Sequence, residues 1–70
     1  MSGYYWYFIN VYEEEHRMHQ EFADRHFKTK KQAIADAKER MEGIKRFRAV
    51  VHVVHFVESG YNDYNDYYDL

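Results

Sequence analysis

The sequence predicts an α+β domain with a β-β-α-β order, in which a three-stranded antiparallel sheet of strand order 2-1-3 carries one helix on one face. Three observations lead to this prediction. Residues 4–12 and 48–57 are rich in aromatic and β-branched side chains, which favour strands. Residues 29–44 carry apolar side chains at helical spacing. The chain has 70 residues and no cysteine, so it forms one small domain without disulfide bonds.

The first predicted strand, residues 4–12, is apolar on both of its alternating faces, and such a strand needs cover on both sides. One face carries Trp6 and Phe8. The other face carries four apolar side chains: Tyr5, Tyr7, Ile9 and Val11. After a polar turn at 13–15, residues 16–23 alternate between apolar and charged side chains, which predicts an edge strand that returns as a hairpin.

The predicted helix begins at Thr29. Residues 29–32 fit a capping box, in which the Thr29 hydroxyl accepts the backbone N–H of Gln32 and the Gln32 side chain reaches back to the Thr29 N–H. Gly43 is the candidate C-terminal cap, although Ile44 can extend the helix past it. One narrow apolar stripe runs along the helix: Ala33, Ile34, Ala37, Met41 and Ile44. The pairs Asp36/Arg40 and Glu42/Arg46 have the spacing of a solvated helix face.

The third predicted strand, residues 48–57, is also apolar on both faces, and Ser59-Gly60 ends it. The helix after strand two runs back along the sheet, so strand three is expected to lie parallel to strand two. The simplest arrangement places it beside strand one through a right-handed crossover, which leaves the polar second strand at an edge. Residues 1–60 are therefore predicted to form the domain. Residues 61–70 are expected to form an acidic, tyrosine-rich tail that can be removed without loss of the fold.

A single helix covers only one face of this sheet, so the other face would display residues such as Trp6 and Phe8. A bare aromatic patch is unusual on a soluble monomer. Three arrangements can cover it: a homodimer that stacks two sheets, the tail folded across as a fourth element, or a foreign partner. The homodimer is expected first, because two-fold self-association is the commonest oligomeric state.

The charges are segregated along the chain. The net charge of −2 comprises −3 in residues 1–16, +5 in residues 17–48 and −4 in residues 49–70. Aromatic anchors ringed by acid suit a surface that binds a basic partner. The alternatives are a disordered acidic end and packing of the tyrosine rings against the protein's own sheet. The candidate partner-binding residues all lie in the tail: Tyr61, Asp63, Tyr64, Asp66, Tyr67, Tyr68 and Asp69.

The basic middle of the chain offers a second binding surface, for nucleic-acid phosphates. Acidic ends and the overall negative charge oppose a polyanion, so direct nucleic-acid binding is the runner-up interpretation. Its candidate residues cluster at the two ends of the helix: Lys28, Lys30, Lys31, Lys45, Arg46 and Arg48.

No catalytic, cofactor or metal-binding pattern is recognisable. His52 and His55 are three residues apart on a strand, so their side chains point to opposite faces and do not chelate one ion together. The chain has no glycine-rich phosphate loop and only two serines, Ser2 and Ser59. A non-enzymatic protein without cofactors is expected. A signal-peptide pattern and a membrane-spanning apolar run are both missing, which predicts a cytoplasmic location in a bacterium or a host cell.

The element Phe27–Ile34 after a short aromatic hairpin, together with the acidic tyrosine-rich ends, resembles small phage-encoded inhibitors of the anti-CRISPR type. This resemblance implies stoichiometric blockade of a host or defence nucleoprotein, with Asp63, Asp66 and Asp69 in place of phosphates and no catalytic residue. The basic helix departs from a uniformly acidic DNA mimic. The expected function is a non-enzymatic inhibitor that binds a basic nucleic-acid-handling protein, such as a CRISPR or other nuclease complex. The alternatives are the nucleic-acid-binding module and a structural assembly subunit.

Overall fold

The computed structural model describes residues 3–42 and 47–57 and, for the backbone only, residues 62–69. Its elements follow in chain order: β1 (Tyr4–Glu13), β2 (His16–Phe22), α1 (Lys30–Arg40), β3 (Arg48–Phe56) and β4 (Asn62–Asp69). The predicted β-β-α-β fold is confirmed by the first four elements. The three strands begin at the expected residues and differ by one residue at their ends. β1 extends to Glu13, which pairs with His16, whereas β2 and β3 end one residue early, at Phe22 and Phe56.

The sheet is antiparallel with the strand order β2-β1-β3-β4, so the predicted order 2-1-3 is confirmed and a fourth strand extends it. The central pair of strands, β1 and β3, runs without interruption from the partners Tyr4 and Phe56 to the partners Tyr12 and Arg48. Side chains along both strands therefore alternate strictly between the two faces. The β1–β2 register shifts between Val11 and Tyr12.

β4 comes from the segment that the sequence indicated as a tail. Its residues pair with β3 from the partners Phe56 and Asn62 to the partners Val50 and Asp69, with a register shift between Val53 and His55. The physical reason is that the outer edge of β3 carries backbone N–H and C=O groups that need partners. The three-stranded sheet expected from the sequence is thus a four-stranded sheet with β4 at one edge.

The hydrophobic core lies between the helix and one face of the sheet. Ala33 and Ala37 of α1 are fully buried, and their small side chains let the helix approach the sheet closely. The core side chains from the two central strands are the odd-numbered ones: Tyr7, Ile9, Val11, Ala49, Val51 and Val53. Met41 closes the core after the last turn of the helix and is 6% exposed.

Thr29 is the N-cap of α1, as predicted, and its hydroxyl accepts the backbone N–H of Gln32 at 3.1 Å. The second half of the predicted capping box is wrong by one residue. The Gln32 side chain accepts the N–H of Lys28, at 3.2 Å, instead of that of Thr29. The helix ends at Arg40, and Met41 is its C-cap. Gly43 and Ile44, the predicted end, lie outside the described residues.

The segment between β2 and α1 follows β1 back along the sheet. Ala23 donates its N–H to the Tyr7 carbonyl at 3.1 Å, and Tyr5 and Phe27 exchange two backbone hydrogen bonds of 2.8 Å. This pairing continues the line of β2 and holds the helix start over the core. Among the described parts of the chain, no helix combines the length and apolar character needed to cross a membrane.

Candidate interaction surfaces

The face of the sheet that lies opposite α1, here called the helix-free face, is formed by the even-numbered residues of the two central strands. From β1 and β3 it comprises Tyr4, Trp6, Phe8, Asn10, Tyr12, Arg48, Val50, His52, Val54 and Phe56. Three residues of β2 join it through their pairing with β1: Arg17 opposite Tyr12, Gln20 opposite Asn10, and Phe22 opposite Phe8.

Three aromatic rings cluster on this face. The ring centroid of Trp6 lies 6.0 Å from that of Phe8 and 5.9 Å from that of Phe22, and Phe8 and Phe22 are 6.3 Å apart. The Trp6 indole N–H donates to the Ala23 carbonyl at 3.0 Å, which holds the ring in place. Trp6 and Phe8 are half-buried, whereas Phe22 is 51% exposed. The exposed aromatic surface is therefore centred on Phe22, and not on the two residues that the sequence indicated.

A polar network crosses the same face beside the rings. The Gln20 amide donates to Asn10 Oδ1 at 2.7 Å, and Asn10 Nδ2 lies 3.2 Å from His52 Nε2. An amide nitrogen can only donate, so His52 Nε2 accepts and its imidazole is neutral. Burial lowers the pKa of His52, which also favours the neutral ring. The His52 ring stacks on Phe8, with centroids 4.7 Å apart.

Two arginines lie at the end of this face near the β1–β2 turn. Arg17 and Arg48 both pair with Tyr12, one from each neighbouring strand. The Arg48 guanidinium carbon is 5.5 Å from the Tyr12 ring centroid, a cation–π distance. Arg17 and Arg48 are both exposed. Aromatic, amide and cationic groups thus follow one another along the face.

The sequence-predicted partner-binding residues fall on β4 and its flank. Tyr61 lies outside the described residues, and Tyr64 lies in the part of β4 where the register shifts. The others have defined partners on β3: Asp63 with His55, Asp66 with Val53, Tyr67 with His52, Tyr68 with Val51, and Asp69 with Val50. The structure therefore assembles them along one edge of the sheet.

The predicted basic surface is divided by the fold. Lys28, Lys30 and Lys31 lie at the start of α1, whereas Arg48 lies on the sheet face that α1 does not cover. Lys45 and Arg46 lie outside the described residues. The four described cations consequently sit on two different sides of the molecule.

On the helix side, the Tyr7 hydroxyl joins two helix residues that the sequence indicated as a solvated pair. It donates to Asp36 Oδ2 at 2.5 Å and accepts from Arg40 Nε at 2.9 Å. Burial and the hydrogen bond to Asp36 raise the pKa of Tyr7 to about 12, so the hydroxyl stays protonated and cannot act as a base. The contact with Tyr7 also raises the pKa of Arg40.

Arg40 extends this network toward β2. Its guanidinium nitrogens lie 3.6 Å from Glu21 and 3.6 Å from Asp24, and Glu21 also contacts His19. The cluster ties the helix to the hairpin and the following loop, which is a structural role. The expectation that Arg40 belongs to an ordinary solvated helix face is wrong, since its side chain is only 29% exposed.

Three of the described histidines stack on aromatic rings. His52 lies on the helix-free face against Phe8, and His55, on the opposite face, stacks on Tyr5 with centroids 4.3 Å apart. The predicted separation of these two histidines is thus observed. His26 stacks on Tyr4 at 3.9 Å. The residues that the structure describes contain no group of three or more potential metal ligands.

The fold and surfaces define a small α+β domain with an aromatic sheet face and an acidic edge strand. No protein-family model matches the chain, and neither a curated protein nor a solved structure shows significant similarity to it.

Sequence reasoning located Trp6 and Phe8 but missed Phe22, Asn10 and His52 as their neighbours. The alternation within β2 contained a signal for Phe22, since its apolar side chain interrupts a polar strand. For the pairing of Asn10 with His52 there was no local signal, because 42 residues separate them.

Proposed function

We propose that this chain is a non-catalytic interaction protein that binds a basic, nucleic-acid-handling protein through β4 and blocks it. The observation that carries the proposal is the position of β4. The acidic, tyrosine-rich segment is an edge strand of the sheet, paired with β3 on one side only.

An edge strand offers one row of backbone N–H and C=O groups to a partner. Tyrosine rings on such a strand supply contact area at a small cost in conformational entropy. A partner that pairs with β4 or packs against it would gain both kinds of contact. This supports a protein partner, since nucleic acid does not continue a β-sheet.

The charge of β4 selects the kind of partner. Residues 49–70 contain four acidic residues and no lysine or arginine. The three aspartates of β4 oppose pairing with a β4 strand of another copy, because like charges would face each other, and they attract a cationic surface. Nucleic-acid-handling proteins carry such surfaces for phosphates. The resemblance to phage-encoded inhibitors supports a nuclease complex as the target.

The test uses two variants with the same change in charge. Asp63→Asn/Asp66→Asn/Asp69→Asn removes the β4 charges, and Glu13→Gln/Glu14→Gln/Glu15→Gln removes three charges at the β1–β2 turn. Each immobilised chain is incubated with nuclease-treated bacterial lysate, and bound proteins are identified by mass spectrometry. We expect the wild type and the glutamine variant to retain the same basic protein, with binding that weakens as salt rises, and the asparagine variant to lose it.

A second measurement tests blockade. The captured protein is purified and its nucleic-acid binding or cleavage is titrated with the chain, and we expect complete inhibition at a fixed stoichiometric ratio. Equal capture by both triple variants would contradict the role of β4. Deletion of residues 61–70 is a poorer test, because it also removes the strand that pairs with β3.

A further inference from the structure

We infer that the helix-free face binds single-stranded nucleic acid, with bases stacked on the aromatic cluster and phosphates at the two arginines. This second site is separate from the proposed protein-binding edge and does not depend on it. The three groups that such a ligand needs follow one another along β1 and its neighbours: rings, hydrogen-bonding side chains and cations.

The rings provide the stacking surface. Phe22 presents half of its surface to solvent, and it lies about one ring diameter from both Trp6 and Phe8, whose centroids are 5.9 and 6.3 Å away. An unpaired base can add to the exposed side of such a cluster. Every base has a π-face, so this contact is tolerant of sequence.

The amide network provides groups for base edges. Gln20 lies two residues before Phe22 on β2, and Asn10 lies two residues after Phe8 on β1. Asn10 is buried, at 7% exposed, so the half-buried Gln20 is the amide that can reach the edge of an unpaired base. The Gln20–Asn10–His52 hydrogen bonds hold these side chains in place before a ligand arrives, which lowers the entropy lost on binding.

The arginines provide the cationic groups of this face, and Glu13 and Glu14 line the same depression as Tyr12 and Arg48. Tyr12 lies two residues after Asn10 on β1, and Arg17 and Arg48 flank it on the neighbouring strands. Both arginines are exposed. A single strand that runs along β1 would bring its backbone phosphates to these cations. The same face disfavours a second copy of the chain as the occupant, because stacking two sheets here would take two guanidinium groups and the Gln20 amide out of water.

Trp6 is the single tryptophan of the chain and belongs to the ring cluster, so its fluorescence reports on the site. The experiment titrates the intact protein with oligothymidylate of about ten nucleotides, a length within the range that single-strand-binding domains cover, and with an abasic strand of the same length. The variants are Phe22→Leu, which keeps an apolar side chain but removes the ring, and Arg17→Gln. Arg25→Gln is the matched control for the charge change, since Arg25 is 65% exposed and lies beside α1, away from the helix-free face.

We expect oligothymidylate to quench Trp6 and the abasic strand to bind much more weakly. Phe22→Leu is expected to weaken binding about fivefold or more, the usual effect of losing one stacked base, whereas Arg25→Gln leaves it nearly unchanged. Two phosphate contacts predict a shallow salt dependence, with a slope of log K against log salt of about −1.4. Circular dichroism confirms that each variant is folded.

Four results would overturn the inference. The first is no quenching at millimolar oligonucleotide, and the second is equal binding of the abasic strand. The third is that the variant Lys28→Gln/Lys31→Gln, at the helix start, loses binding while Phe22→Leu binds as well as the wild type. The fourth is self-association that Phe22→Leu abolishes while oligonucleotide does not bind, which would assign the face to a second copy. The β4 asparagine variant separates the two proposals, because it is expected to lose the protein partner and to keep the oligonucleotide.

Discussion

Phe8 and His52, partners across β1 and β3, stack with their ring planes only 2° apart. The same imidazole accepts a hydrogen bond from Asn10, which requires its Nε2 to be unprotonated. Burial lowers the pKa of His52 from its ordinary value of 6.5. The folded state therefore favours a neutral ring at this position.

The first prediction concerns acid stability. Because the pKa of His52 is lower in the folded state than in the unfolded state, the unfolded chain binds the proton more readily. The free energy of unfolding therefore falls as the pH drops through 6.5 toward the lowered pKa of the folded protein. His52→Gln retains an acceptor for Asn10 and does not titrate. We expect its thermal midpoint to fall less between pH 7.5 and pH 5 than that of the wild type. His16→Gln, at the exposed end of β2, serves as the control, and an acid response of His52→Gln identical to the wild type's would contradict the prediction.

The second prediction concerns the hydroxyl of Tyr7, which joins Asp36 to Arg40. Tyr7→Phe leaves both helix side chains without this partner, and we expect it to lower the free energy of unfolding at pH 7 by about 1–3 kcal/mol. Urea denaturation measures this loss. Tyr12→Phe, on the same strand, is the control and is expected to change stability by less than about 0.5 kcal/mol.

The raised pKa of Tyr7 adds an alkaline test of the same contact. Its folded pKa of about 12 exceeds the ordinary value of 10, so stability that is present below pH 10 is lost as the pH rises toward 12. The stability difference between wild type and Tyr7→Phe should therefore shrink above pH 10. A constant difference across that range would show that the hydroxyl is not held as the structure indicates.

The third prediction concerns Gly3, which precedes β1 with φ of 120°. A Cβ at this position would lie 2.8 Å from the backbone carbonyl oxygen of Phe56, closer than real Cβ atoms approach. We expect Gly3→Ala to destabilise the protein by about 1–3 kcal/mol through backbone strain and this contact. Chemical synthesis with D-alanine at position 3 gives a matched variant, because D residues favour positive φ. It should be more stable than the L-alanine chain, and the reverse order would refute the argument.

The fourth prediction concerns the β1–β2 turn, where Glu14 has φ of 57°. A non-glycine residue in the left-handed region is strained, and asparagine tolerates it better than glutamate. We expect Glu14→Asn to raise the free energy of unfolding by about 0.5 kcal/mol, an effect of the size seen for compatible turn substitutions. Glu15→Asn, the neighbouring turn position, is the control. Equal effects of the two substitutions would mean that the gain comes from removing charge.

Much of the fold was accessible from the sequence. Thr29 was identified as the N-cap from its spacing to Gln32, and the alternation of β1 placed Trp6 and Tyr7 on opposite faces. These features depend on residues close together in the chain. The order 2-1-3 was expected because the helix after strand two returns the chain along the sheet, and the simplest place for strand three is then beside strand one, with a right-handed crossover.

The edge strand was missed because asparagine and aspartate, which make up five of the eight residues 62–69, are depleted in strands. Pairing with β3 outweighs that local preference. The binding partners of Arg40 were missed for a related reason. A spacing of four along a helix indicates a contact with Asp36 but says nothing of Tyr7, which lies 33 residues away.

The sequence by itself determined that β1, β2, α1 and β3 form and which of their side chains share a face, since both depend on the local periodicity of the backbone. Only the tertiary structure decided that Phe22 completes the ring cluster with Trp6, that His52 lies against Phe8, and that residues 62–69 form an edge. These relationships depend on the register between strands distant in sequence. Local periodicity along one strand carries no information on that register.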